Sequence, residues 1–518
     1  ILMYDTNYGL HNSNLILRAQ CTVLSPNMTS CNAPSDIPAL ELEVLKCCAP
    51  PPVTTPLPLF TPNPTLYPTL KVRRPAHLPN ATYGDTLARA YSLMKDLPPE
   101  DPRSFAQQAN IHCAYCNTVY NQNNSTDLLF QVHGNWLFFP FHRWYLYFHE
   151  RILAKLLGDD TFSLPFWNYD HPNGSTMPWM YTQYPILMDD YRNPDHMPPA
   201  VVAIDYAYNA EARSAEEQLH ENAAYVYRSL IRDAESKYRF FGYPFKHGEA
   251  PRLLYGTVEE FPHNSMHVWS GSATSVGGKD MGSLYAAARD PVFYPHHAEL
   301  DRMWVLWKDM EGNEDIDEDE YLDAEFAFYN EDAELVRVKV RDALDTRNLG
   351  YVYEEVDVPW MVQGAPVRLS EGVAELNGSD ELCEAGVWIL APCSATVQRD
   401  MASVAQGPEE ENLIVAGLTW TESMPAILDV FLNLPSATAN TTSGCEEFVG
   451  TFHNAAQFSE GRNSSDFRLH VGGRIRALNL TSESSLVFTF VPKGLSLGCP
   501  TAFDFLVMQY SPVAHNIL

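Results

Sequence analysis

The stretch "HGNWLFFPFHRWYLYFHE" (133–150) decides the fold of the first half of the chain. Its apolar residues recur at three- and four-residue steps, and the pattern continues to Gly158, which predicts a long buried helix. His142 lies inside this apolar, aromatic helix, where an imidazole without a partner would be costly. His133 lies at the boundary between a loop and the helix. The stretch therefore predicts a buried helix that carries functional histidines.

Other histidines fall at spacings that suit the same role. The segment "EEFPHNSMHVWSG" puts His263 and His267 four residues apart, on one face of a predicted helix. In "RDPVFYPHHAELDRMW", His296 and His297 lie near the first turns of a further helix, which Asp-Pro opens. The segment "NIHCAYC" adds His112. These segments are far apart in the chain, so a shared role requires the fold to bring them together.

The histidines form two sets of three, which favours a binuclear metal centre. The first set is His112, His133 and His142, and the second is His263, His267 and one of the adjacent pair. Imidazole ligands without carboxylates suit copper or zinc better than iron, manganese or magnesium. A hydrolytic zinc site usually includes a carboxylate, and no HExxH pattern is present. Spacing favours a copper pair, and a zinc pair or unrelated histidines are the alternatives.

Charge and hydropathy exclude several classes of partner. The formal net charge is −31, from 34 Lys and Arg against 65 Asp and Glu. A chain with this net charge is not expected to bind nucleic acid or anionic membrane surfaces, because both attract cations. No apolar run is long enough to span a membrane. The acidic run 311–323 lacks the glycine and the terminal glutamate of an EF-hand loop, so we expect a solvated loop there.

Cysteines and glycosylation sequons favour an oxidising, secretory compartment, extracellular or vacuolar. The adjacent pair Cys47 and Cys48 suits disulfide bonds better than free thiols. The nine sequons lie at Asn27, Asn80, Asn123, Asn124, Asn173, Asn377, Asn440, Asn463 and Asn479. The chain begins at Ile1, so any targeting peptide is expected to be already removed or not included.

The composition and the periodicity of the sequence change three times along the chain, and these changes predict the domains. Residues 1–75 are rich in proline and predict an extended arm, and the chain up to 355 is mainly helical. The predicted helices cover 83–97, 136–158, 213–234, 262–272 and 291–311. Residues 356–384 read as a linker. From 385 to 518, seven or eight segments alternate apolar and polar residues, from "GVWILAPC" (386–393) through "FRLHVGGRIRAL" (467–478) to "FDFLVMQY". The prediction is an α+β multidomain chain, mainly α and then an all-β antiparallel sandwich.

Four long motifs carry a resemblance to a known family. "HCAYC", "HGNWLFFPFHRWYLYFHE", "FPHNSMHVW" and "DPVFYPHHAELDRMW" resemble, in order, the two copper-binding regions of plant polyphenol oxidases, the catechol oxidases and tyrosinases. The N-terminal cysteines, "VRRPAH" and the "YVY" tyrosine motif (351–353) are similar as well. The resemblance covers nearly the whole chain and is weakest in the β domain. It implies a four-helix bundle around a type-3 dicopper site.

The resemblance assigns roles to individual residues. It implies that one copper ion is held by His112, His133 and His142 and the other by His263, His267 and His297. His296 is then a neighbour that does not bind metal, and His149 is structural or exposed. Cys116 resembles the family cysteine that is joined by a thioether bond to a liganding histidine, here His133. The implied disulfides are Cys31–Cys48 and Cys47–Cys113. Two further disulfides are suggested, Cys383–Cys393 and Cys445–Cys499, and they would leave Cys21 unpaired.

The resemblance also implies the chemistry. The copper pair would use O2 to oxidise small phenols, o-diphenols and also monophenols, to o-quinones, inside apolar walls from Phe138, Phe141 and Phe261. Glu259 matches a family glutamate that holds a water, and with Asn264 it would orient this water as a base for phenols. Leu284 stands where the family usually has phenylalanine above the second copper, and Val268 is expected at the entrance. Glu299 replaces a family asparagine.

The β domain resembles the shielding domain of latent polyphenol oxidases. It would cover the site until it is cut off within 356–384 or displaced, so the chain's own C-terminal domain is its expected partner. The alternative function is a reversible oxygen carrier of the haemocyanin kind. Family members often reside in the thylakoid lumen, which is the alternative location. The sequence makes no prediction of the oligomeric state.

Overall fold

In a computed structural model, a helical body is followed by a β domain. The structure describes residues 23–34, 47–50, 56–66, 69–205, 213–252, 254–272, 279–405, 409–420, 427–453, 464–493 and 501–512. Cys21, Cys499, the sequon at Asn463 and most of the predicted N-terminal arm lie outside the described residues. No helix in these ranges has the length and apolar character needed to cross a lipid bilayer.

The predicted helices are present, with ends shifted by a few residues. The longer ones are α1 (Ala81–Lys95), α2 (Phe105–Cys116), α3 (Phe138–Leu157), α5 (Ala215–Tyr227) and α8 (Phe293–Asp309). The shorter ones in this body are α4 (Met180–Gln183), α6 (Lys237–Phe241), α7 (Ser265–Ser270), α9 (Asp319–Leu322) and α10 (Trp360–Gln363). A π-helical turn, Glu259–Asn264, leads into α7, and another, Arg228–Arg232, continues α5. The buried helix α3 packs against α1 and α8.

Short strands brace the helical body. The strands are β1 (Pro26–Asn27) with β3 (Asn121–Gln122), β2 (Lys71–Arg73) with β6 (Tyr351–Tyr353), and β4 (Glu325–Tyr329) with β5 (Leu335–Lys339). The β2–β6 pair is parallel and joins the start of the body to the tyrosine motif. The β4–β5 hairpin was not anticipated, although β-branched residues alternate along "LVRVK" as in a strand.

The disulfides expected from the resemblance are formed. Cys31 bonds to Cys48, and Cys47 bonds to Cys113 on α2, next to His112. Cys383 bonds to Cys393, as suggested. Cys445 carries a free buried thiol, and Cys499, its suggested partner, lies outside the described residues.

The β domain consists of two antiparallel sheets around one apolar core. Its strands are β7 (Cys393–Gln398), β8 (Glu409–Trp420), β9 (Ile427–Leu432), β10 (Phe448–His453), β11 (Ser464–His470), β12 (Ser485–Lys493), β13 (Thr501–Ala502) and β14 (Phe505–Pro512), and its short helices are α11 (Met401–Val404) and α12 (Gly472–Ala477). One sheet has the order β10-β9-β12-β7; in the other, β8 pairs with β11, β13 and β14. The predicted β domain is therefore present.

Three local predictions are wrong in whole or in part. Residues 386–392 form no strand, and Trp388 is 45% exposed there. The segment 467–478 is a strand only to His470, because Gly472 and Gly473 end the strand and open α12. The acidic run 311–323 is only partly a solvated loop, since it contains α9 and buries Tyr321.

The two domains meet along α5 and its π-helical extension. Ser443 of the β domain donates to the Glu221 carboxylate over 3.0 Å, and Arg232 donates to the Phe448 carbonyl over 3.1 Å. Phe448 and Phe431 pack into the core of the helical body. Beside these contacts lies a cavity of about 310 Å³ with a charged lining from both domains. The interface is therefore part apolar and part polar.

Candidate metal centre

Two helices and one loop bring the first three histidines together. His112 lies on α2, His142 on α3, and His133 on the loop that enters α3, where Gly134 takes a left-handed φ of 67°. The ring centroid of His133 lies 5.4 Å from that of His112 and 5.3 Å from that of His142. Their ligand atoms and the Cys116 sulfur lie within 4.8 Å of one another.

The second cluster forms where the turn before α7 meets α8. His263 and His267 lie one helical turn apart, with ring centroids 4.5 Å apart. The Nε2 atoms of His267 and His297 lie 3.3 Å apart. His296, which was expected to stand outside the ligand set, lies in the same group, with ligand atoms within 4.8 Å.

The two clusters face each other directly. The rings of His142 and His297 stack at 4.1 Å, and those of His133 and His263 lie 5.5 Å apart. All six rings of the two predicted ligand sets are at least 94% buried. Sites this close allow two metal ions to act on one small molecule.

Backbone carbonyls fix the protonation of four rings. Nδ1 of His112 bonds to the Leu284 carbonyl (2.7 Å), and Nδ1 of His142 bonds to the Phe138 carbonyl (2.8 Å). In the second cluster, Nδ1 of His267 bonds to the Met281 carbonyl (2.8 Å), and Nδ1 of His263 lies 3.2 Å from the Glu259 carbonyl. When Nδ1 carries the proton, Nε2 is unprotonated and its lone pair can bind a metal ion. Each ring is therefore oriented with Nε2 as the ligand atom.

The site fits a pair of copper ions. Nε2 of His112, His133, His142 and His263 is buried and has no hydrogen-bond partner within the described protein. Burial lowers the pKa of His142 to about 3 and that of His267 to about 4, so these rings are neutral at physiological pH. Buried, neutral imidazoles without a carboxylate ligand are a donor set suited to copper.

Aromatic rings wall the two clusters. The Phe138 ring lies 4.7 Å from both His142 and His263, and Phe141 lies 5.0 Å from His142, as expected. Phe261 instead has its ring 5.1 Å from Tyr225. Sequence reasoning missed Phe293, which lies 4.2 Å from His297 and 4.9 Å from His112. Its position one helical turn before His297 was the available signal.

The predicted base and its neighbour lie beside the histidines. The Glu259 side chain is fully buried, and its Oε1 accepts from the Gly134 amide (2.8 Å), next to His133. Oε2 has no partner in the described protein. Burial raises the pKa of Glu259 well above its usual range, and a bound cation nearby would favour the carboxylate again. Asn264 Oδ1 lies 3.0 Å from Nδ1 of His263.

Four further residues were singled out from the sequence: Leu284, Val268, His149 and Glu299. Leu284 and Val268 are half-buried. His149 is buried and structural: its ring stacks on Tyr294 at 3.6 Å. Glu299 is fully buried and accepts from Arg302 over 2.9 Å, which gives it a partner in place of the asparagine contact.

Comparisons with known proteins agree with this geometry. The common central domain of tyrosinase matches residues 102–310, the polyphenol oxidase middle domain 315–365, and the chloroplastic polyphenol oxidase C-terminal domain 390–497. A chloroplastic polyphenol oxidase of Malus domestica is 37% identical over 498 residues, which cover 91% of this chain and 82% of that protein. Aureusidin synthase of Antirrhinum majus is 44% identical, over 65% of this chain and 60% of that protein.

A solved structure shares both domains. Latent apple tyrosinase superposes with a TM-score of 0.75 at 36% identity, covering 88% of this chain and 99% of that chain. The similar proteins are named as enzymes, and nothing in these comparisons supports the haemocyanin-like oxygen carrier. This chain belongs to the plant polyphenol oxidase family, the copper-dependent oxidoreductases with a type-3 dicopper centre.

Proposed function

We propose that this enzyme oxidises o-diphenols, and monophenols more slowly, to o-quinones with O2. His112, His133 and His142 hold one copper ion, and His263, His267 and His297 hold the other, within a bundle of α2, α3, α7 and α8. The observation that carries this proposal is the pair of facing imidazole clusters with Nε2 turned inward. Bound there, the copper pair supplies the redox chemistry: two catechols give up four electrons and four protons, and one O2 becomes two waters.

The surroundings of the adjacent pair support His297 as the ligand rather than His296. The His297 ring stacks on His142 of the first cluster at 4.1 Å and lies 3.3 Å from His267 between their Nε2 atoms. The His296 ring stacks on His263 at 5.6 Å and lies 5.8 Å from Tyr169. The closer contact with the first cluster therefore favours His297 as the ligand.

Glu259 and Asn264 would supply the proton acceptor for monophenols. A free phenol has a pKa of about 10, so it needs a base to reach the metal as phenolate. Glu259 Oε2 has no partner in the described protein, and its Oε1 is held by Gly134. The Asn264 amide NH2 would donate to the water that Glu259 holds. Phe138 and Phe293 keep bulk solvent from this water, while Leu284 and Val268 border the substrate.

Replacing Glu259 with glutamine tests this assignment. Glu259→Gln is expected to lower turnover of a tyrosine-type monophenol by about 30-fold and of a catechol by less than about threefold, since a catechol is the more readily deprotonated substrate. Oxygen uptake with each substrate measures the ratio. Asn264→Asp is the companion variant, and it should keep more monophenol activity than Glu259→Gln. Equal losses on both substrates would reject the base role, and no uptake by the wild type would reject the function.

We also propose that Cys116 forms a thioether bond with His133. Its sulfur is buried and lies within 4.8 Å of the histidine ligand atoms. Forming the bond removes one hydrogen from the thiol and one from an imidazole carbon, and copper with O2 is the oxidant. We expect a cross-linked peptide that is lighter by two hydrogen atoms in the mass spectrum of copper-loaded protein, and no such peptide after expression without copper. Two separate, unmodified peptides from loaded protein would contradict the bond.

The β domain, residues 385–518, would shield the site of the oxidase domain, residues 1–355. Its contacts with α5 include the Glu221 and Arg232 hydrogen bonds and the packing of Phe448. The linker 356–384 divides between the two domains. Trp360 is buried against the helical body, whereas the Val367 amide bonds to the Gly444 carbonyl of the β domain over 2.9 Å.

The disulfides and the exposed sequons bear on the compartment of the protein. The three disulfides suit an oxidising compartment. Seven sequon asparagines are exposed: Asn80, Asn123, Asn124, Asn173, Asn377, Asn440 and Asn479, with Asn27 half-buried. These features favour the secretory pathway, whereas several similar proteins are named as chloroplastic, which favours the thylakoid lumen. Glycopeptide mapping of the native protein separates the two, because N-glycans on the sequons require the secretory route.

A further inference from the structure

The residues after the tyrosine motif lie on the helical body, in spite of their position in the linker. Val356 and Val358 pack half-buried against its core, and Trp360 is completely buried. Gly364 lies so close to α5 that a Cβ atom would come 2.2 Å from the Ala223 carbonyl oxygen. No larger residue fits at this position, because α10 packs tightly against α5.

Trp360 connects this segment to the helix of the second histidine cluster. Its indole Nε1 donates to Asp170 Oδ2 over 3.0 Å. The same oxygen accepts from Arg302 over 3.0 Å, and Arg302 also donates to Glu299 over 2.9 Å. Glu299 and Arg302 lie on α8, two and five residues beyond His297.

The chain contacts the other domain directly after this segment. The Glu446 amide bonds to the Val367 carbonyl over 3.0 Å, and the Ser370 amide bonds to the Glu447 carboxylate over 2.6 Å. Exposed Ala365 and half-buried Pro366 separate the two groups of contacts. Trp360 is therefore the last large anchor of the oxidase domain before the chain crosses over.

We propose that Trp360 is a positioning residue for the second copper site. It acts through Asp170 on Arg302, which lies on α8. The indole supplies a hydrogen bond to Asp170 and excludes water from the buried Asp170–Arg302–Glu299 group, so α8 holds His297 in place. The inference rests on the proposed assignment of His297. Partners bonded directly to a metal ligand typically change metal affinity by about 10- to 100-fold, and Trp360 acts indirectly through α8, so we expect an effect at the lower end.

The test is Trp360→Phe in the full-length chain, with Val362→Ala as the matched control, because Val362 lies on the same short helix and is 83% exposed. Competition with a copper chelator should show that Trp360→Phe loses one of its two copper ions about tenfold more readily. The lone Cu(II) ion that remains should give a paramagnetic resonance signal that a coupled pair lacks. Val362→Ala should keep both ions.

Further outcomes separate a positioning role from simple loss of packing. A variant that only packs poorly would show a lower unfolding temperature of the copper-free chain with unchanged copper affinity, and that result overturns the inference. Asp170→Asn, which retains an oxygen acceptor for the indole but loses the charge that holds Arg302, should weaken the same copper ion. A wild type that binds no copper would reject the proposed function itself, whereas two equally tight ions in Trp360→Phe would reject only the role of Trp360.

Discussion

His297→Ala is expected to leave one copper ion per chain and to lower catechol oxidation by at least about 10³-fold, because a two-metal reaction loses most of its catalysis with either metal. The His297 ring, in the second cluster, stacks on His142 of the first cluster at 4.1 Å and lies 4.2 Å from Phe293. Atomic absorption gives the copper content, and oxygen uptake with catechol gives the rate.

The adjacent histidine is the matched control. His296→Ala removes an equally buried imidazole from the same turn of α8, so both variants leave a similar cavity and a similar loss of stability. His296→Ala should keep two copper ions and retain activity to within about tenfold, as expected for a cavity that leaves the metals bound. The reverse pattern, with copper lost from His296→Ala and kept in His297→Ala, would exchange the two residues in the ligand set.

Cutting the full-length chain between Gly364 and Val367 is expected to raise catechol turnover by about 100-fold. A tethered domain faces its site at an effective concentration of about 1 mM, so contacts with a dissociation constant of about 10 μM are enough to keep the site closed. The interface supports contacts of this modest strength, since a charged cavity of about 310 Å³ lies beside its apolar part. A protease recognition sequence inserted at Ala365–Pro366 allows turnover to be measured on one preparation before and after the cut.

A second cut position serves as the control. A recognition sequence at Asn377–Ser379 leaves Val367 and Ser370, with their hydrogen bonds to the β domain, attached to the oxidase domain. This cut should therefore release the β domain less readily and activate the enzyme less. If the intact chain already turns over at the full rate of the cut form, the shielding role is wrong.

The helices that carry the site could be predicted from the sequence, and so could the pairs of histidines on them. The nearly continuous apolar residues along "FFPFHRWYLYF" reflect burial on all sides of α3, and the four-residue step from His263 to His267 reflects one helical turn. The two sets of three histidines already favoured a binuclear centre, but the choice of the six ligands came from the family resemblance, because spacing within a helix carries no information about which helices meet.

Contacts between residues that are far apart in the chain could not be predicted from the sequence. Nothing in the local pattern pairs His112 with the carbonyl of Leu284, 172 residues away, or Trp360 with Asp170. The prediction of a strand at 386–392 failed for a related reason. Val387, Trp388 and Leu390 remain exposed, and the buried Ile389 makes only an isolated bridge, to Thr501. Strand formation depends on a partner that the pattern of one segment does not supply.

Position 284 divides two tasks between two parts of one residue. Its main-chain oxygen bonds to His112, and its half-buried side chain is the part that we propose borders the substrate. A backbone contact does not depend on the identity of the side chain, so an exchange at 284 would change the choice of substrate while the inorganic core stays constant.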